Sequence, residues 1–66
     1  LPDGIVNGDV VTNDITVDTR KWIIENNQKR IFSDNASFYG TGGSYTDLKT
    51  LTVAELNKIP DGEPVD

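Results

Sequence analysis

Eleven carboxylates are spread through this 66-residue chain, at positions 3, 9, 14, 18, 25, 34, 47, 55, 61, 63 and 66. A pair of them could serve glycoside cleavage, but acids scattered this evenly produce such pairs by chance, and a chain this short is expected to be too small to wall in a sugar cleft. A nucleophile needs a general base beside it, usually His, and the sequence has no His, no Cys and no Met. Conventional triads therefore fail, as do disulfides and thiolate or imidazole metal sites. Asp3, Asn7 and Asp9 cluster, with Asp14 and Asp18 following, yet no stretch has the spacing of an EF-hand calcium loop. These acids read as solvated turn and strand-face residues. The expectation is a non-enzymatic chain with no catalytic residue, metal or cofactor.

The stretch FYGTGGSYT at 38–46 is the next candidate, with small residues bracketed by Phe38, Tyr39 and Tyr45. It lacks the Lys of a phosphate-binding GxxxxGK[ST] loop, and no helix directly follows it. Rings beside a glycine turn suit an interface or sugar stacking, because they offer large contact area at low entropy cost. They can equally cover a thin core. The stretch reads as a tight, glycine-permitted reversal pinned by its aromatics, where strand grammar gives way to a helix. Asn35-Ala36-Ser37 matches the N-glycosylation acceptor pattern, which matters only in a secreted eukaryotic protein.

These residues must be positioned by short elements. Asn7-Gly8, between Ile5-Val6 and Asp9-Val10-Val11, predicts a hairpin over 5–11 with a type I′ turn. NDITVDT alternates Asp14, Thr16 and Asp18 against Ile15 and Val17, the period of a half-buried strand. KWIIE and KRIFS read as the two arms of a hairpin around Asn26-Asn27-Gln28, since Trp and Ile favour strands and the amide run suits a loop. A further strand is expected at Ala36–Tyr39. Thr52 followed by Glu55 has the spacing of a capping box, so a helix should start near Thr52. It should bury Val53, Leu56 and Ile59 and stop at Pro60-Asp61-Gly62. Leu48 and Leu51 could pack beside it.

Size and charge then bound the partners. Sixty-six residues allow one domain and leave a lone core marginal; apolar residues are 35% of the chain against a usual figure of about 45–50% that also counts Gly. Small scaffolds without staples lean on association. Alternation puts Trp22 and Ile24 on one face of their strand and Ile23 on the other, so both faces are apolar. This points to an oligomer or a larger parent protein. The net charge of −5 and the lack of a basic footprint exclude nucleic acid as the expected partner. Arg20-Lys21 and Lys29-Arg30 read as solubilising flanks of the hairpin. No apolar run approaches the roughly 20 residues of a membrane helix. Leu1-Pro2-Asp3-Gly4 begins without Met or a signal-like stretch, as an excised piece would.

The turn-punctuated runs ITV, KWIIE, KRIFS and ASFYG, over residues 5–46, resemble the intertwined β modules of bacteriophage fibres and appendages. That resemblance implies a homotrimeric, non-enzymatic structural or attachment element of a virion or extracellular assembly, with apolar strand faces meeting at a threefold axis. It carries over no functional residues. TVAELNKIPDGEPVD is similar in feel to the lead-in of an OB-like domain, a second reading. A third is an extracellular carbohydrate-binding module using Trp22, Tyr39 and Tyr45, with a surface glycan as ligand. The expected fold is mainly β: short antiparallel strands and hairpins with one short C-terminal helix, intertwined or packed in an oligomer. Residues 1–66 form a single module, divided into a β-rich body (1–46) and a short helix and tail (47–66). Trp22, Ile24, Phe32, Phe38, Tyr39 and Tyr45 are its core or interface candidates.

Overall fold

The computed structural model describes residues 1–15, 17–33 and 48–65. Within them lie four strands and one helix: β1 (Val10–Asn13), β2 (Lys21–Glu25), β3 (Gln28–Ile31), β4 (Lys49–Leu51) and α1 (Val53–Asn57). The strands form one mixed sheet in the order β3-β2-β1-β4. β2 pairs antiparallel with both β1 and β3, whereas β4 runs parallel to β1. The described residues thus form a small β-rich domain with one short helix. The expected strand at Ala36–Tyr39, and the loop carrying Phe38, Tyr39 and Tyr45, fall outside the described residues, as does Asn35.

β2 spans the five residues KWIIE that its β-branched and aromatic content predicts. Its hairpin to β3 closes through two residues, Asn26 (φ 53°) and Asn27 (φ 61°), between the paired Glu25 and Gln28. Positive φ at both centres is type I′ geometry, whose twist matches the flanking strands. Asn tolerates this region better than other non-glycine residues. The turn is also held from outside. Asn7 Oδ1 accepts from the Asn27 backbone N–H at 2.8 Å, and Asn7 Nδ2 donates to Asn27 Oδ1 at 3.2 Å.

That arrangement corrects the expected hairpin at 5–11. Only Gly8 (φ 97°) has positive φ at the Asn7-Gly8 turn, and Asp9 N–H donates to Val6 O at 3.1 Å, which makes a type II turn. Ile5 and Val6 form no strand. Instead Gly8 N–H donates to Ile24 O at 2.7 Å and Ile24 N–H to Asp9 O at 2.9 Å, so the turn prolongs the β1–β2 ladder while Asn7 reaches across to the next turn.

Beyond Asn13, the described residues of NDITVDT likewise form no strand. β1 ends at Asn13 and the chain loops back. Asn13 is buried, and its amide donates to Asp18 O at 2.7 Å and accepts from Arg20 N–H at 2.9 Å. Thr12 Oγ1 adds a bond to Arg20 O at 2.7 Å. Side-chain bonds to nearby backbone compete with a ladder, and here they win; Val17, expected on a buried face, is 94% exposed.

α1 begins as its capping box predicts. Glu55 N–H donates to Thr52 Oγ1 at 3.2 Å, and Thr52 N–H donates to Glu55 Oε1 at 3.0 Å. Leu56 and Ile59 are buried, but Val53 is 49% exposed, because a helix of five residues has room for a narrow stripe only. The core gathers Ile5, Val11, Trp22, Ile24, Leu51, Leu56 and Ile59, with Ile31 packed against it. After α1 the tail turns at Pro60 and runs beside β3, with bridges Lys29 to Asp61 and Phe32 to Val65. Lys29 N–H donates to Pro60 O, Gly62 N–H to Lys29 O and Val65 N–H to Ile31 O, at 2.8–2.9 Å. A Cβ on Gly62 would lie 3.0 Å from Gln28 Oε1 and 3.2 Å from Arg30 Cγ, so a side chain there would require those two side chains to give way. β4, α1 and the tail therefore complete the same sheet and core as β1–β3.

Two substitutions test these braces. Asn27→Val should cost about 1–3 kcal/mol, since a β-branched residue is strained at positive φ, whereas Asn27→Gly should cost under about 1 kcal/mol; urea melts that fail to separate the two would refute the turn assignment. Asn13→Ala should cost about 1–3 kcal/mol for two lost hydrogen bonds from a buried amide, with an unchanged denaturant slope.

Candidate functional site

Among the described residues, one short helix packs on the core-side face of the sheet. Five helical residues span about 7.5 Å, while four strands about 4.8 Å apart span roughly 14 Å. Trp22 and Ile31 are register partners, so they share the core-side face at the edge farthest from β4. Over them lies an open cleft of about 400 Å³, floored by Trp22 and Ile31 and walled by the tail at Gly62 and Pro64. Its rim carries Arg20, Lys29, Asn57 and Asp61.

The rim charges are paired. Lys29 Nζ lies 2.9 Å from Asp61 Oδ1 and also donates to the Ile59 carbonyl. Arg20 binds Asp18, with its NH2 group 3.3 Å from Oδ2 and Nε donating to Oδ1. Asn57, the last residue of α1, is exposed and adds an amide that can donate and accept at once. Trp22 is 8% exposed, so it forms a floor and not a protruding platform.

The sequence candidates separate accordingly. Trp22 and Ile24 are buried in the main core. Phe32 is 7% exposed but stands outside that cluster. It follows Ile31, so it projects to the opposite face, as do Val10 and Ile23, which are partners in register and half-buried. Phe38, Tyr39 and Tyr45 lie outside the described residues. Sequence reasoning did not single out Asn57 and Asp61 as a rim. Alternation would have placed position 20 on the face of Trp22, but nothing local announces that the tail comes back to β3.

Among the described residues no group of three His, Cys, Asp or Glu side chains could hold a metal ion, and no helix is long and apolar enough to cross a membrane. Two carboxylates sit below their ordinary values, both away from the cleft. Asp9 is held low by a hydrogen bond from Lys49 Nζ at 2.8 Å and by the Val6 N–H at 3.0 Å. Lys49 also donates to Gly4 O at 3.0 Å, tying β4 to the N-terminal segment. Glu55 is lowered by the backbone N–H and the hydroxyl of Thr52. Each serves the fold: one ties down β4, the other caps α1. No protein family matches the chain, and no significant match exists among curated proteins or solved structures.

These shifts fix a pH dependence. A carboxyl whose folded value is depressed stabilises above its unfolded value, 3.8 for Asp9, and that stabilisation disappears as pH falls through the folded value. The melting temperature should therefore decline below about pH 4. Asp9→Asn keeps an acceptor for the Val6 N–H but loses the charge; it should lower the neutral-pH melting temperature and flatten the acid decline. An acid limb as steep as that of the parent would contradict the assignment.

Proposed function

We propose that the chain is a non-enzymatic structural or attachment module that works as part of a larger β-rich assembly, such as a trimeric phage fibre or virion appendage. The observation that carries this reading is, among the described residues, a sheet with apolar side chains on both faces and one short helix. The core-side face is filled by Val11, Trp22, Ile24 and Leu51 under α1. The other face carries Val10, Ile23 and Phe32 among Thr12, Arg30 and Glu25. A strand apolar on both sides is characteristic of a sheet covered on both sides, and a neighbouring copy or the rest of a parent protein would cover Val10 and Ile23.

The uses of the polar side chains agree with this role. Asn7 and Asn13 brace turns, Thr52 and Glu55 cap the helix, and Asp9 with Lys49 joins distant segments. Among the described residues no buried side-chain nitrogen or oxygen lacks a partner. Rigid turns of this kind suit a part that must hold its shape in an extracellular or virion setting.

Native mass spectrometry should give a particle of three times the 7.2 kDa chain mass. Ile23→Glu should shift it to monomer while far-ultraviolet circular dichroism stays β-rich. A cooperative, well-folded monomer for the parent chain at micromolar concentration would refute the assembly reading.

A further inference from the structure

We propose that the cleft over Trp22 and Ile31 binds an uncharged pyranose. The inference goes beyond the assembly role and uses the opposite face of the sheet, so both could operate in one particle. A pyranose ring presents an apolar C–H surface and a periphery of hydroxyls, each donor and acceptor together. The cleft offers the counterpart: an apolar floor of Trp22 and Ile31, and a rim with the Asn57 amide, the Asp61 carboxylate and the cationic ends of Arg20 and Lys29. Its volume of about 400 Å³ falls in the range of small-molecule sites, roughly 300–1,000 Å³.

Charge selects among sugars. Lys29 is matched by Asp61 and Arg20 by Asp18, so the rim has no unmatched cation to offer a carboxylate. The net charge of −5 further opposes an anionic ligand. Asn57 is in a different position, because its side-chain amide makes no hydrogen bond with the described residues and stands at the cleft mouth. It is the natural first partner for a ring hydroxyl.

Trp22 is the only tryptophan, so its fluorescence reports the cleft directly. The full chain is titrated with the methyl glycosides of glucose, galactose and N-acetylglucosamine, and with sodium glucuronate. At least one neutral glycoside should change the emission saturably, with a Kd of about 1 mM, and glucuronate should bind about tenfold more weakly or not at all. Asn57→Ala should weaken binding about tenfold, the loss of about one hydrogen bond, with an unchanged melting curve. No saturable response to any neutral glycoside, an equal response to glucuronate, or unaltered affinity in Asn57→Ala would each overturn the proposal. Oligomeric mass is read separately, so failure here leaves the assembly reading standing or falling on its own.

Discussion

A four-stranded sheet has two faces, and among the described residues one five-residue helix packs against it. That constraint governs the rest of the structure. Val11 and Ile24 are fully enclosed on the helix side, yet a stability of roughly 0.05–0.15 kcal/mol per residue gives a chain of this size about 3–10 kcal/mol in total. Removing one large side chain such as Ile24 from that core would cost about 2–5 kcal/mol, much of the whole. Among the described residues, a cleft lies at the β3 edge over Trp22 and Ile31, and the opposite face carries apolar residues of its own.

With so little apolar area, the connections depend on directed hydrogen bonds. Asn13 folds the β1–β2 loop around its amide, and Asn7 fastens the β2–β3 turn from across the molecule. Lys49 bonds Asp9 and the Gly4 carbonyl, holding the parallel strand β4 to the start of the chain. Partly exposed ion pairs of this kind are worth little singly; their value lies in fixing register between segments 40 and 45 residues apart in sequence. The tail closes the opposite edge, where Arg30 Nε donates to Glu63 O and Ser33 Oγ to Val65 O. A covered edge removes a row of free backbone groups that could template aggregation.

Local signals were legible where local forces decide. KWIIE became β2, and the Thr52 and Glu55 pair became a true capping box. Alternation placed Trp22 with Ile24 and Ile23 on the opposite face. The errors arose where a side-chain amide outweighed a pattern: alternation at 14–18 gave way to the Asn13 bonds, and the type I′ turn belongs to Asn26-Asn27 while Asn7-Gly8 makes a different turn. Longer-range features were illegible for another reason. The pairing of β4 with β1 and the return of the tail to β3 join segments far apart in sequence, and their own residues, KTL and PDGEPV, carry no periodicity that names a partner. The cleft depends on that tail, so its rim could not be read before its walls.

The assembly proposal has a neighbouring copy of the chain cover the face bearing Val10 and Ile23. Its most direct test is the melting temperature across a hundredfold range of protein concentration, because association that favours the folded state makes melting concentration-dependent. The account predicts a midpoint that rises with concentration in the parent chain and stays constant in Ile23→Glu. A midpoint independent of concentration in the parent chain would contradict it.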